Sequence, residues 1–171
     1  MTPDGGAARA ALVAAAYPPG GLVVGIGLDL CEIERIEQAI GRHGARFLER
    51  VCVPGEVRRP FGSRRLGEHV AGLFAAKEAA MKALGTGMQG VAFREVAVAR
   101  EPGGPPRLVL TGRARERADA LGVVAAHVTI THGRRDAAAV VILVGRGEAS
   151  LAGAAIGGPP PDGGGPPQGS S

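Results

Sequence analysis

Aromatic residues are scarce in this 171-residue chain, which has no tryptophan, one tyrosine and four phenylalanines. Sequence-tolerant binding of single-stranded nucleic acid depends on stacking bases against aromatic rings, so the sequence offers little for that class of protein. No apolar run approaches the roughly 20 residues that a membrane-spanning helix needs. The two cysteines, Cys31 and Cys52, form neither a CxxC motif nor a dense disulfide framework, which is typical of a reducing cytoplasm.

Lysine is almost absent as well. Of the 20 basic residues only two are lysines, Lys77 and Lys82, and both lie in the segment GLFAAKEAAMKALGTG at 72–87. This segment predicts a helix that is apolar nearly all round and therefore largely buried. Glu78 and Lys82 could form a surface ion pair one turn apart, but such a pair contributes only about 0.3–0.5 kcal/mol. Because so small an energy does not explain why arginine is avoided here, the pattern favours a functional carboxylate and amine.

The two ends of the chain differ in composition from its middle. Residues 1–20 and 148–171 are rich in glycine and proline or alanine, and we predict a flexible N-terminal extension and a disordered tail. Residues 21–147 form the predicted domain, which carries 19 basic and 13 acidic residues and a net charge of +6. This excess favours an acidic partner, which includes nucleic acid, an anionic membrane, a phosphorylated ligand and an acidic protein.

The order of the predicted elements indicates an α+β fold. An apolar strand begins at Gly21 and is followed by an amphipathic helix with isoleucines on one face. A long helix is predicted from Leu66 to Leu84, with Gly85 as its C-terminal cap. The second half contains a hairpin, a short helix and a second pair of strands. This order of elements, which is strand, helices, hairpin, helix and hairpin, is typical of an α+β fold rather than of a regular βαβ sheet.

Asp29 closes the predicted first strand next to Gly25 and Gly27. One interpretation is that it caps the following helix, since Glu32 stands three residues later. The other is that it binds a hard cation over an open cleft, because Mg²⁺ is usually held by one or two carboxylates together with phosphates and water. Asp29 and Glu78 would supply such a pair if the strand meets the long helix.

The GTG turn after the long helix contains one glycine more than a helix cap needs. Gly85 alone would end the helix, whereas Gly85 and Gly87 around Thr86 strip side chains from the turn. Such a turn lets backbone N–H groups approach an anion.

Three segments together resemble a known family. GIGLDLCEIERI, FAAKEAAMKALGTG and HVTITH, in this order and over about residues 22–145, closely resemble the holo-[acyl-carrier-protein] synthases, which are 4'-phosphopantetheinyl transferases. The resemblance implies a 4'-phosphopantetheinyl transferase-like fold with antiparallel hairpins packed on a long buried helix. It also implies transfer of the 4'-phosphopantetheine group of coenzyme A to a serine of apo acyl carrier protein, with Mg²⁺ as cofactor and 3',5'-ADP as the second product.

The resemblance further implies roles for individual residues. Asp29 and Glu78 would bind Mg²⁺ together with the pyrophosphate, and Lys82 would lie by the phosphates. Residues expected to contact the coenzyme are Lys82, Gly85, Thr86, Gly87 and His132. His132 would come from a neighbouring subunit, because the family forms homotrimers with sites at subunit boundaries. The general base would be Glu78 or a bridging or metal-bound water.

Arginines of the first helix would dock the acidic carrier protein. On one continuous helix, Arg35, Arg42 and Arg46 would lie within about 40° of one another, given 3.6 residues per turn. The glycines at 41 and 44 are expected to interrupt this helix before Arg46. The alternative is a solvated helix face on which these arginines pair with nearby glutamates, of which Glu32, Glu34 and Glu49 are the candidates.

This chain departs from the family at several points. Leu73 stands where family members usually have arginine directly before FAAKE, so a basic contact to coenzyme phosphate is lost or comes from elsewhere, the candidates being Arg58, Arg59, Arg64 and Arg65. Gly133 replaces a residue that is often polar or acidic, and the terminal extensions have no family counterpart. Two alternatives to the enzyme remain, a noncatalytic homologue that binds coenzyme A and a basic nucleic-acid-binding domain. We expect neither a membrane nor a nucleic acid to be its partner.

Overall fold

A three-stranded antiparallel sheet, a separate hairpin and one long helix make up the fold of residues 20–146, the part of the chain that the computed structural model describes. The elements in chain order are β1 (Gly21–Glu32), α1 (Ile33–His43), α2 (Ala45–Val51), α3 (Leu66–Ala83), α4 (Gly87–Gly90), the 3₁₀ helix Phe93–Glu95, β2 (Val96–Arg100), β3 (Pro106–Leu110), α5 (Gly112–Ala120), β4 (Val123–His132) and β5 (Asp136–Arg146). The predicted α+β class, both hairpins and the long helix are confirmed.

The two predicted extensions fall almost entirely outside this part of the chain. The extensions predicted at 1–20 and 148–171 lie outside the described residues, except for Gly20, and stay predictions.

None of the described helices is both long and apolar enough to cross a membrane.

The main sheet has the strand order β1–β5–β4, and its two faces differ in exposure. On β5 the residues at alternate positions are buried beneath α3, namely Ala137, Ala139, Val141 and Leu143. The opposite face keeps large apolar side chains of β1 in contact with solvent, with Ile26, Leu28 and Leu30 about two-thirds exposed (66%, 62% and 67%). Strand side chains alternate between faces, so Gly25, Gly27 and Asp29 point towards α3.

α3 lies directly on the backbone of β1. A Cβ atom added to Gly27 would overlap the carbonyl oxygen of Ala79, and one added to Gly25 would overlap that of Ala83. The two glycines are therefore required for packing, because only a strand without side chains at these positions lets the helix approach so closely. Asp29 follows on the same strand face and is carried against the helix.

The first helical region contains one correction and one expected break. β1 continues past Asp29, and Glu32 is the residue that precedes α1, so the interpretation of Asp29 as a helix cap at a strand end is wrong. α1 ends at His43 because Gly44 adopts a positive φ of 57°, and a second helix begins at Ala45. Arg46 therefore lies on α2, and Gly44, one of the two glycines expected to interrupt the helix, separates it from Arg35 and Arg42.

The close packing of α3 on β1 predicts the effect of a single methyl group. Gly27→Ala should lower the free energy of unfolding by at least about 3 kcal/mol, the upper end of overpacking costs, because the overlapping atom belongs to backbone and cannot rotate away. The matched control is Gly41→Ala in α1, where nothing lies within 4 Å of an added Cβ and the helix should gain about 0.5–1 kcal/mol. Chemical denaturation followed by circular dichroism measures both. Equal stabilities of the two variants would contradict this packing.

Candidate active site

Lys82 and Asp29 form the contact that joins α3 to β1 at the candidate site. The Lys82 ammonium donates to Asp29 Oδ1 at 2.8 Å and to the Leu28 carbonyl oxygen at 3.0 Å. The Lys82 side chain is half exposed, whereas that of Asp29 is mostly shielded. No ion pair joins Glu78 to Lys82 in the part of the chain that the structure describes, so the interpretation of these two as a surface pair along the helix is wrong.

Glu78 lies one turn earlier on α3 and is half-buried rather than fully buried. Loss of solvent raises the pKa of its carboxyl group, and the negative charge of Asp29 raises it further, while Lys82 and Arg35 act in the opposite direction. The negative charge of Asp29 therefore acts on Glu78 across the contact between strand and helix. A cation between them would remove this repulsion.

The two carboxylates fit magnesium better than zinc. Within residues 20–146 no group of three or more histidine, cysteine, aspartate or glutamate side chains could hold a metal ion. Zinc takes three or four protein ligands, whereas Mg²⁺ is bound through one or two carboxylates and completes its shell with phosphate oxygens and water. Asp29 and Glu78 would supply two carboxylate ligands for Mg²⁺, and phosphate oxygens of a ligand together with water would complete the shell.

The GTG turn ends α3 and uses its first N–H groups internally. Gly85 adopts a positive φ of 68°. Its N–H donates to the Lys82 carbonyl oxygen at 3.0 Å, and the Thr86 N–H donates to the Met81 carbonyl oxygen at 3.1 Å. These two N–H groups cap the helix and are not available to an anion. A ligand would meet the turn through its exposed glycines, Gly85 and Gly87, rather than through a cradle of N–H groups.

His132 lies at the other end of α3 within one chain. Its Nε2 atom is 3.3 Å from Glu68 Oε1, in the first turn of α3. Glu68 and Glu78 are ten residues apart, or about 15 Å along the helix axis. His132 also lies on β4 and Asp29 on β1, with β5 between them. A single chain therefore does not bring His132 to the carboxylate pair.

A basic cavity of about 550 Å³ lies beside His132. Leu73, which is buried, lines it together with Arg58, Arg59 and Arg100. The guanidinium of Arg58 donates to the Arg100 carbonyl oxygen and so fixes one wall. Of the four arginines that could replace the missing basic contact at Leu73, Arg58 and Arg59 thus line the same cavity as Leu73.

The other lysine of α3, Lys77, lies in the core of the protein. Its side chain is fully buried, and its ammonium donates to Glu56 Oε2 at 2.9 Å and to the carbonyl oxygens of Phe93 at 3.1 Å and Val96 at 2.5 Å. Glu56 in turn accepts hydrogen bonds from the backbone N–H groups of Val53 and Val98. All donors and acceptors of this buried pair are therefore satisfied, and the pair ties α3 to β2 and to the loop after α2.

Several of these contacts have no signal in the sequence. Glu56 stands 21 residues before its partner and outside the predicted helices and strands, and the contact of Lys82 with the Leu28 carbonyl group involves backbone. The glycines of β1, in contrast, are a signal in the sequence. Gly25 and Gly27 are two residues apart on the strand, and Ala79 and Ala83 are four residues apart on the helix, which is a pattern that predicts close packing of strand and helix.

Comparison with known proteins decides the family. A model of the 4'-phosphopantetheinyl transferase superfamily matches residues 25–140. The chain belongs to this superfamily. The predicted family and the prediction of a transferase enzyme are thereby confirmed.

Individual members of the superfamily are similar over nearly their whole length. The holo-[acyl-carrier-protein] synthase of Nitratidesulfovibrio vulgaris is 50% identical over 123 residues, covering 71% of this chain and 98% of the relative. The crystal structure of the Helicobacter pylori synthase in complex with coenzyme A is similar with a TM-score of 0.60 and 31% identity over 69% of this chain and 98% of that chain. The crystal structure of the Bacillus anthracis synthase in complex with CoA (3',5'-ADP) is similar with a TM-score of 0.58 and 35% identity, over 72% of this chain and 97% of that chain.

Substitution of the two lysines of this transferase should affect stability to very different degrees. Lys77→Met should cost about 3–5 kcal/mol, because it leaves the buried Glu56 carboxylate unpaired. Lys77→Arg should also destabilise, since a broad guanidinium does not fit three acceptors arranged around a compact ammonium. Lys82→Met should change stability by less than about 1 kcal/mol, because its pair with Asp29 is partly exposed. Thermal and denaturant unfolding of the three variants measures this, and a Lys77→Met variant as stable as the wild type would contradict the structural role.

Proposed function

We propose that this chain transfers the 4'-phosphopantetheine group of coenzyme A to a serine of apo acyl carrier protein, using Mg²⁺ and releasing 3',5'-ADP. In this reaction the serine hydroxyl oxygen attacks the β-phosphorus, and the bond from this phosphorus to the oxygen that leaves with 3',5'-ADP breaks. The serine proton passes to a general base, which is Glu78 or a water molecule. The observation that carries the proposal is the meeting of Asp29, Glu78 and Lys82 at one end of α3, in a chain whose relatives are holo-[acyl-carrier-protein] synthases.

Each residue of this cluster has a part in the proposed reaction. Asp29 and Glu78 would hold Mg²⁺, which neutralises the charge of the pyrophosphate when bound. Lys82 presents a half-exposed ammonium at the same place, so it can turn from Asp29 towards a phosphate oxygen. Phosphoryl transfer depends mainly on positioning and electrostatic stabilisation, and a rigid helix–strand contact suits both.

The surface of α1 and α2 supports docking of an acidic protein. Arg35, Arg42 and Arg46 are exposed, and no ion pair joins them to a carboxylate within residues 20–146, contrary to the alternative of a paired, solvated face. An apolar cavity of about 500 Å³ lies beside Arg46 and is lined by Phe47 and two further phenylalanines. Basic side chains around an apolar pocket suit an acidic partner that inserts one apolar side chain.

A homotrimer with sites between subunits is the proposed assembly. The exposed apolar side chains of Ile26, Leu28 and Leu30 form a patch of the kind that marks a protein interface. Within one chain His132 is far from Asp29 and Glu78, so a site that contains all three would take His132 from another copy. Light scattering that detects only monomers at micromolar concentration would contradict this assembly. The cytoplasmic location stays a prediction.

The reaction is tested with the carrier protein itself. Mass spectrometry of apo acyl carrier protein incubated with this chain, coenzyme A and Mg²⁺ should show addition of phosphopantetheine. Glu78→Gln keeps the size of the side chain but removes the charge of a metal ligand. Loss of a residue that only supports a metal ligand lowers activity about 10- to 100-fold, so the transfer rate of Glu78→Gln should fall by more than this. Glu116→Gln, on an exposed position of α5, should transfer normally. No addition by the wild type would contradict the proposal and favour a noncatalytic homologue that binds coenzyme A.

Glu78→Gln also has a pH-dependent effect on stability in metal-free buffer. Because the folded-state pKa of Glu78 is raised above 4.5, ionising it costs stability, and this cost grows as the pH rises from 4.5 through the folded-state value. The variant should therefore unfold at a higher temperature than the wild type at pH 7, and the difference should disappear below pH 4.5. A wild type that is the more stable of the two at pH 7 would contradict the repulsion between Asp29 and Glu78.

The docking proposal predicts a selective kinetic effect. Reversing Arg35 or Arg42 to Glu should raise the apparent KM for carrier protein and leave the KM for coenzyme A unchanged, because loss of steering slows association with an acidic partner. The wild-type KM for carrier protein should also rise with salt as the Debye length falls below about 8 Å. Steady-state kinetics on both substrates across a salt series measures this. A KM for carrier protein that responds to neither change would remove α1 from the docking surface.

A further inference from the structure

The C-terminal end of α3 is fixed by a residue from a different helix. Arg117, on α5, donates from Nε to the carbonyl oxygen of Leu84 at 3.0 Å. The carbonyl groups just before it, of Ala80, Met81 and Lys82, accept hydrogen bonds from the backbone of the turn itself. Arg117 thus supplies a hydrogen bond that the last part of the helix cannot make with its own chain.

The Arg117 guanidinium also packs over the GTG turn. A Cβ atom placed on Gly85 would lie 3.8 Å from one of its terminal nitrogens, at ordinary van der Waals distance. Arginine has five N–H donors, and the hydrogen bond to Leu84 uses only one of them. Arg117 is exposed, so the terminal nitrogens can reach a ligand that lies against the turn.

The charge of Arg117 is not neutralised by a carboxylate in the part of the chain that the structure describes. The other two arginines of α5 each have one, since Arg113 pairs with Glu95 and Arg115 with Asp119. A free cation matters at this place, because the C-terminus of a helix carries partial negative charge and repels phosphate. Lys82 is exposed in the last turn of α3, and Arg117 contacts the carbonyl group of Leu84, two residues further along the chain.

We propose that Arg117 is a positioning residue for the phosphate groups of coenzyme A. It holds the Gly85–Gly87 turn in place and adds a second cation next to Lys82, which offsets the repulsion of the helix end. This inference rests on the proposed function, since coenzyme A is the ligand there. It also gives this chain a basic contact that does not depend on position 73, which is leucine.

Two variants separate the charge of Arg117 from its hydrogen bond. Arg117→Gln can still donate to the Leu84 carbonyl oxygen but is neutral, whereas Arg117→Lys keeps the positive charge. The matched control is Arg115→Gln, which removes a charge from the same helix at a residue paired with Asp119. The measurements are the dissociation constant of coenzyme A by calorimetry, the KM for each substrate, and the melting temperature.

Arg117→Gln should weaken coenzyme A binding and raise its KM about tenfold, the worth of one charge-assisted hydrogen bond, and should leave the KM for carrier protein unchanged. Arg117→Lys should recover most of the affinity, and Arg115→Gln should match the wild type. The affinity of Arg117→Gln should depend less steeply on salt. A lower melting temperature in Arg117→Gln with unchanged coenzyme A affinity would overturn the proposal and leave Arg117 a purely structural cap.

The binding measurement also distinguishes failure of this inference from failure of the proposed function. If the wild type binds coenzyme A but modifies no carrier protein, the proposed reaction fails while the comparison of dissociation constants still decides the part of Arg117. If the wild type does not bind coenzyme A, both are wrong. If transfer proceeds and Arg117→Gln binds coenzyme A as tightly as the wild type, only the inference about Arg117 is wrong.

Discussion

The contact between two glycines of β1 and two backbone carbonyl groups of α3 is the constraint on which the candidate site depends. Gly25 and Gly27 let the helix rest on the strand without intervening side chains. Asp29 is the next residue on that face of the strand, so the same contact carries its carboxylate to Lys82 and Glu78. The distance between helix and strand therefore sets whether two carboxylates can share one cation.

The two lysines of α3 show how one helix serves both the core and the site. Five residues of an α-helix correspond to a rotation of about 140°, so Lys77 and Lys82 point in well-separated directions. Lys77 enters the core and ties α3 to Glu56 and β2, whereas Lys82 reaches the surface at Asp29. In both environments a compact ammonium makes several hydrogen bonds to closely spaced oxygens, which a planar guanidinium does not reproduce. The absence of arginine at these two positions thus has the same physical cause in two different environments.

Much of the fold was predictable because its signals are local. The apolar strand from Gly21, the isoleucine face of α1 and the glycine at the end of α3 identified main elements of the fold. The proposed pairing of Asp29 with Glu78 rests on placing that strand against the long helix. What failed depended on contacts between distant parts of the chain. One interpretation made Asp29 a helix cap, but β1 continues past it because it pairs with β5 as far as Glu32. The bond from Arg117 to Leu84 spans 33 residues and involves a carbonyl group, so it leaves no trace in the pattern of side chains.

The central claim is that Asp29 and Glu78 act as one cation site built by the packing of α3 on β1. A double-mutant cycle on divalent-cation affinity in the presence of coenzyme A tests it most directly, with wild type, Asp29→Asn, Glu78→Gln and the double variant compared by calorimetry. If both carboxylates hold the same ion, each single variant should lose most of the affinity and the double variant should lose little more, because residues that share a partner are not additive. Additive losses, or a single variant that binds as tightly as the wild type, would contradict the shared site.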